Sequence, residues 1–532
     1  MMHQRLSQAF VQYRDDAHTR MRLKYSYIGA AFFCLAAHGF AYLNFAPSHD
    51  MFNYLTNLAG GWEIQLGRFV QVWYEHIRGG YMTPWLGCIL TILFSGLACF
   101  LISDLLGIRN RWAVAASAGL MVANATMTDA VYSFVYISDA FGLALLCSCA
   151  GAFCVIRWKH WASALVGAAL IMLGMGMYQG YVLVGAALIL FDVMKHALTE
   201  RHLWKRQWKN YLRYIACMAL TAVLYFVVYR GMLSLHGIKV TSTLYNSPGN
   251  LKTLSLIELL PYVKHAYSSF AAFFFGFRQT SFTMFHLANW LLFGLAGLWA
   301  LRCIWKNRLP VFNILILLVG AAVFPGATQV MSILTKSHTT YFLTAHALYL
   351  MYPGLIAILC GLSHEDGEER QVQVYEKSFL MRCAAWIACV MLLFSSCLFS
   401  NELYTFKQIQ YDKTLSHMTR VLDEINHTAG YEYGQTPVVM LGSLGDALSN
   451  LPEPEGYRWL SGMARASVTY PMVQANLVRM LSGGLYPAID GDSLYVQYAP
   501  REDVAAMPCY PQPGYCQMID DVLVVKITPY YY

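Results

Sequence analysis

Residues Phe45–Arg78 read FAPSHDMFNYLTNLAGGWEIQLGRFVQVWYEHIR. The stretch lies between the first two apolar runs, 26–45 and 83–106, so both of its ends are tied to a bilayer. It opens with a carboxylate, Asp50, a few residues past a membrane exit. A Gly60-Gly61-Trp62 turn followed by Glu63 fills its middle, and its second half carries Gly67-Arg68-Phe69. Polar groups and aromatics in a loop pinned this way predict a site at the lipid–water boundary, with the remaining chain as its scaffold.

The composition agrees. Of 532 residues, 57% are hydrophobic and 13% charged, against roughly 25% charged in a soluble domain. The formal net charge of +7 does not point to nucleic acid, because the basic residues cluster at the ends of apolar runs, as topology requires. The first apolar run lacks a small-residue cleavage site, so no cleavable signal peptide is expected. Of the 14 cysteines, all but two lie in or beside apolar helices, where Cys behaves as a small hydrophobe. The exceptions, Cys509 and Cys516, bracket a Pro/Gly turn and read as a disulfide in an oxidising compartment.

Runs near the length needed to span, about 20 residues, fall at 26–45, 83–106, 112–127, 133–156, 161–177, 179–194, 213–233, 284–303, 311–333, 340–362 and 383–400. The reading is therefore a polytopic α-helical membrane protein of about eleven transmembrane helices. Lys and Arg concentrate in alternate loops: Arg5–Lys24, Arg109/Arg111, Arg157/Lys159, Lys195–Arg213, Arg302–Arg308 and Arg370–Arg382. The positive-inside rule makes that side, and the N-terminus, cytoplasmic; odd parity puts the C-terminus outside, in agreement with the disulfide reading. Four segments result: a cytoplasmic amphipathic N-terminus (1–25), a membrane module (26–233) with first outer loop 46–82, a second membrane module (234–401) with outer loop 234–283, and an extracytoplasmic domain (402–532). In the second outer loop, the stretch from Leu254 to His265 predicts an amphipathic helix on the membrane surface. The last segment starts with a helical pattern over Tyr404–Ile425. Strand signals at Thr436–Gly442 and Asp521–Ile527 then predict a small α/β or α+β domain.

Each chemically suggestive residue has a plain structural reading beside it. Asp50 is either a helix cap or a general base for a hydroxyl arriving from the aqueous side. Arg68 is either an ion-pair partner of Glu63 or Glu75, or a counter-charge for a departing phosphate. Arg278, Lys336 and His338 sit at outer membrane ends; singly they are snorkelling cations, and converging they form an anion site. Asp139 lies inside an apolar stretch, where an ionisable group is a functional hypothesis by default, although a neighbouring helix can also pair with it. Tyr178-Gln179, in a Gly-flanked turn, can hydrogen-bond a sugar, and small-residue helix packing explains the glycines equally well. Asp139, Trp62 and Glu63 join them as sugar or acceptor contacts. Asp104 and Asp192, near cytoplasmic ends, read as structural. The chain has no Walker A, nucleotide-binding glycine loop, zinc signature or Ser nucleophile elbow, so the substrate should carry its own activation.

These residues resemble the serotype-converting, O-antigen type II glucosyltransferases of the GT-C superfamily. The features that carry the resemblance are a lone Asp after the first helix (Asp50), Gly67-Arg68-Phe69 later in that loop, Tyr178-Gln179 at an outer turn, and a terminal domain entered through Pro437-Val-Val-Met-Leu-Gly442. It spans nearly the whole chain, with two departures: Phe69 stands where the family usually shows Trp, and His49 where a second acid often precedes the Asp. The second departure leaves a second carboxylate or a divalent metal as alternatives; no cofactor is otherwise expected. The resemblance implies a GT-C fold with the first outer loop over the active site. It implies an undecaprenyl-phosphate-sugar donor, made by a separate synthase and flipped outward by a separate flippase. The acceptor would be a surface polysaccharide or lipid-linked glycan, and the setting a bacterial inner membrane. Asp50 becomes the base, and Arg68, with Arg278, Lys336 and His338, the donor-phosphate contacts. The competing readings are a flippase for a lipid-linked glycan and a non-catalytic scaffold. The absence of an internal repeat and the gathering of charges at the outer interface favour the enzyme over the flippase.

Overall fold

The computed structural model describes residues 16–44, 46–48, 51, 60–79, 82–200, 203–239, 256–276, 283–334, 342–360, 379–442, 444, 452–460, 476–478, 480–482 and 493–529. The chain is mostly helical. The helices are α1 (Ala17–Leu43), α2 (Gly61–Gln65), α3 (Phe69–Arg78), α4 (Pro84–Leu105), α5 (Arg111–Val122), α6 (Ala125–Phe134), α7 (Ser138–Arg157), α8 (Ala162–Met177), α9 (Val182–Thr199) and α10 (Leu203–Leu235). They continue with α11 (Leu256–Phe275), α12 (Thr283–Asn307), α13 (Val311–Ala327), α14 (Val330–Leu334), α15 (Met351–Cys360) and α16 (Phe379–His427). Starts are set locally: Asp16 caps α1 through Thr19 N, Asn110 caps α5, Asn124 caps α6, and Pro84 opens α4 at a position that needs no N–H.

Seven helical stretches among the described residues are long and apolar enough to cross a membrane. The other expected spans, at 112–127, 161–177, 311–333 and 340–362, fall on apolar helices of only 10–17 residues. The count of eleven crossings is therefore not established by helix length. Residues 17–25, read as part of an amphipathic N-terminal segment, belong to α1. Residues 256–265 of the surface helix expected at 254–265 begin α11, whose first turns expose Ile257 and Leu260 while Phe273 and Phe274 are buried at its far end.

α1 packs on α4, α5 and α16, and α7 packs on α4, α8 and α9, making one continuous apolar core. Several buried polar groups in it tie helices together. His38 Nε2 donates to the Val122 carbonyl (2.8 Å), and its Nδ1 accepts from Tyr404 (2.7 Å), tying α16 to α1 and α5. At the basic end of the bundle Asp104 holds Arg22 at 2.6 Å and Arg157 at 2.8 Å. Asp192 accepts from Tyr214 (2.7 Å). Both acids therefore serve packing, as their positions suggested.

The 49-residue α16 runs through the proposed boundary at 402. Its length, about 73 Å at 1.5 Å per residue, exceeds the roughly 30 Å hydrocarbon core, so one helix serves both the bundle and the C-terminal domain. There Tyr411, Met418, Val421 and Ile425 pack on one face of a three-stranded sheet. Its strands are β1 (Val438–Leu441), β2 (Cys516–Ile519) and β3 (Val522–Lys526), in the order β1-β3-β2. β1 runs parallel to β3, with Val439 opposite Val524, and β2 antiparallel to it. Both expected strands are thus neighbours, and the burial of β1 and β3 on both faces explains their unbroken apolar runs.

The expected Cys509–Cys516 disulfide is not formed: both are free thiols. Cys516 starts β2 and turns its Sγ toward Thr428 of the segment after α16 (3.3 Å). The connecting turn is held instead by the Tyr510 N–H donating to the Lys526 carbonyl (2.9 Å).

Candidate active site

The first loop folds back onto the bundle. α2 is started by Glu63, whose Oε2 accepts from Gly60 N at 2.6 Å. Glu63 is buried, which makes it a helix cap, whereas Trp62 stays half-exposed. Gly67 then takes φ +80°, a left-handed conformation that suits glycine, and the reversal sets Arg68 before α3. In α3, Phe69, Val70 and Val72 are buried against α8 while Trp73 and Ile77 remain exposed. Apolar burial on one side and exposed apolar residues on the other fit a helix lying in the membrane interface. Gly176 permits the contact, since a Cβ there would stand 2.5 Å from Val70 Cγ2 and 2.9 Å from the Phe69 ring.

Two clusters fasten this loop. In the first, the Arg68 guanidinium lies 4.7 Å from the Tyr178 ring. Among the described residues no carboxylate pairs with Arg68, so the ion pair with Glu63 or Glu75 is not made. Arg68 Nε is buried without a hydrogen-bond partner. Gln179 donates its amide to the Leu66 carbonyl and to Tyr225 Oη (3.3 Å). Tyr225 in turn donates to the Gly67 carbonyl (3.0 Å), and Tyr229 to that of Gln65 (2.9 Å). Gln179 therefore holds the loop backbone, and Tyr178 holds Arg68; Phe141 backs Tyr178 at 5.2 Å between ring centres.

The second cluster forms around Asp139, in the first turn of α7 and fully buried. Tyr74 Oη donates to its Oδ2 at 2.5 Å, and Arg78 Nε lies 3.4 Å from the same atom. Arg78 also donates to the Tyr136 carbonyl (2.8 Å). Asp139 Oδ1 and Arg78 Nη1 have no hydrogen-bond partner. Burial, with the Asp139 charge next, pushes the Tyr74 phenol well above its ordinary value, so it stays a proton donor.

Asp50, Arg278, Lys336 and His338 lie outside the described residues. The neighbours of Asp50 are anchored: Ser48 donates to the Ser133 carbonyl at the end of α6, and Met51 is buried. A buried cation reaches the same place from α16. Lys407 Nζ donates to the Tyr132 carbonyl and lies 4.7 Å from the Tyr132 ring. Sequence reading passed over Tyr74, Arg78, Tyr225 and Lys407. The i,i+4 spacing of Tyr74 and Arg78 on an amphipathic helix was the available signal for the first two; Lys407, inside an ordinary helical pattern, offered none.

A loop of cations and carboxylates pinned across helix ends can hold an anionic substrate and move a proton. The family described as glucosyl transferase GtrII matches residues 39–359, a range that contains the whole first loop, Asp139 and Tyr178-Gln179. The chain belongs to that family. As a GtrII-family protein it is a glucosyltransferase of O-antigen modification, so sugar donor and polysaccharide acceptor are its substrates. No curated protein and no solved structure matches the chain. Lys407 and the C-terminal sheet lie beyond the matched range.

Proposed function

We propose that this glucosyltransferase is an inverting, GT-C-type enzyme that takes glucose from undecaprenyl-phosphate-glucose and places it on a hydroxyl of a surface polysaccharide. The reaction would occur at the outer face of a bacterial inner membrane, with the N-terminus cytoplasmic and residues 402–532 outside. In this reading Asp50 takes the proton of the acceptor hydroxyl as its oxygen attacks the anomeric carbon. The bond from that carbon to the donor phosphate oxygen breaks, and polyprenyl phosphate leaves with the electron pair. Charge grows on the phosphate as the bond breaks, so Arg68, with Arg278, Lys336 and His338, would stabilise the transition state more than the ground state.

The observation that carries the reading is the docking of the first loop over the helix ends, with Arg68 held on Tyr178 away from any described carboxylate. A cation so placed is positioned for an incoming anion. The test is sugar transfer by purified protein from synthetic polyprenyl-phosphate glucose, with Asp50→Asn and Arg68→Ala alongside. A loss of about 10²-fold or more in Asp50→Asn is expected for a general base, and a smaller loss in Arg68→Ala. Equal turnover in Asp50→Asn would move the base elsewhere, Asp139 first. No turnover of any polyprenyl-phosphate sugar by wild type would overturn the donor assignment and promote lipid-linked glycan flipping.

A further inference from the structure

We propose that the basic end of the bundle holds a site for one anionic phospholipid, with an acyl chain in a side groove and the phosphate between Lys24 and Arg111. The groove opens between α1, α5 and α16 and encloses about 530 Å³, lined by Ile28, Phe32, Phe33, Trp112, Ala116 and Trp386 among others. That lies within the roughly 300–1,000 Å³ of ligand pockets. Its origin is the shortness of α5: 12 residues make about 18 Å, against a hydrocarbon core of about 30 Å. α1 and α16 run on past it, and the small side chains of Ala115 and Ala116 leave a trough between aromatic walls. The walls are almost wholly carbon, so in a membrane a hydrocarbon chain fills the trough at less cost than water.

The mouth of the groove specifies the headgroup. The Arg111 guanidinium lies 5.3 Å from the Trp112 ring and 6.0 Å from the Tyr25 ring. Lys24 Nζ lies 6.0 Å from the same Tyr25 ring, and the two rings meet edge to face at 5.8 Å. One stack of rings therefore holds two cations, and Trp112 belongs to both the stack and the groove wall. Two other cations at this end, Arg22 and Arg157, already have a carboxylate partner in Asp104. Among the described residues Lys24 and Arg111 meet no carboxylate. A phosphodiester supplies the missing charge, and basic pockets between helices are a known form of acidic-lipid site. A zwitterionic lipid fills the trough equally well but leaves the pair uncompensated.

The full chain, purified and titrated with phosphatidylglycerol or with phosphatidylcholine of the same acyl chains, is read by native mass spectrometry. Wild type is expected to retain one phosphatidylglycerol under activation that strips phosphatidylcholine. Removing both cations in Lys24→Ala/Arg111→Ala should weaken phosphatidylglycerol binding on the order of 30-fold and leave phosphatidylcholine unchanged. Ala116→Phe fills the trough and spares the cations, so it should weaken both lipids; Ile28→Trp, at the exposed rim, repeats the block should Ala116→Phe not fold. Equal retention of the two lipids by wild type would overturn the proposal. So would phosphatidylglycerol binding untouched by the blocking variants, which marks diffuse surface attraction. A lipid-free dimer that Ile28→Trp dissociates would assign the groove to a second copy and overturn it as well.

Discussion

Asp139→Asn keeps the shape of the side chain that latches the first loop and removes its charge. In the folded protein Arg78 Nε lies 3.4 Å from Asp139 Oδ2, with side chains 6% and 0% exposed. Removing one partner of a buried pair costs about 3–5 kcal/mol, because the other charge stays buried and unpaired. The Tyr74 hydrogen bond falls at the same time from a charged acceptor, worth about 1.5–3 kcal/mol, to a neutral one of about 1 kcal/mol. What remains is the burial of Phe69, Val70 and Val72, at about 1.5–3 kcal/mol each when complete. α3 should therefore still dock but open at least about 100-fold more often, at 1.4 kcal/mol per tenfold. Hydrogen exchange read by mass spectrometry on peptides covering 61–78 measures this directly, with α12 peptides as the unaffected control. Tyr74→Phe should give a smaller acceleration. The two changes together should fall short of their sum, because both act through one carboxylate. Unchanged exchange in α3 of Asp139→Asn would refute the latch.

Four further outcomes are expected. Gly176→Ala drives a methyl to 2.5 Å from Val70, so it should destabilise the loop contact by about 1–3 kcal/mol and lower glucose transfer; wild-type transfer would show that loop docking is dispensable. Lys526 donates to the Val504, Ala505 and Met507 carbonyls at 3.0, 2.7 and 2.9 Å, so Lys526→Met should cost the C-terminal domain about 1.5–3 kcal/mol or more, read as a lower denaturation midpoint. Burial pushes the Cys516 thiol from 9.0 to about 11, so above pH 9 the unfolded chain binds fewer protons than the folded one. The stability of that domain should be fully present below pH 9 and fall as pH rises through 11. In the same domain, alkylation of denatured, unreduced protein should label both Cys509 and Cys516; failure to label them would restore the disulfide.

Much of the scaffold could be read directly. Apolar runs and basic clusters follow from the bilayer, which acts on each segment independently of its neighbours, so an apolar helix falls within each expected run, seven of them long enough to cross a membrane among the described residues. The two C-terminal strands were legible for the same reason, since burial on both faces demands continuous apolar sequence. The disulfide reading failed because spacing around a Pro/Gly turn says nothing of where β2 points the Cys516 thiol. The boundary placed at 402 falls inside α16, which changes its surroundings without changing its helical period. At the site, Arg68, Asp139 and Tyr178-Gln179 were singled out from polarity in apolar context, but their partners were not. Gln179 serves the loop backbone, Arg68 rests on Tyr178, and Asp139 joins two residues sixty positions earlier in the chain.

The sequence by itself determined a membrane-embedded helical chain, a loop rich in charge and aromatics after the first helix, and membership of a glucosyltransferase family. Those properties reside in local composition and order. Only the tertiary structure decided which charges are spent on holding the loop, which remain for a ligand, and where two cations stand over an apolar groove. Pairing, burial and cavity shape depend on residues far apart in sequence meeting at Å distances, and no periodicity in the chain encodes those distances.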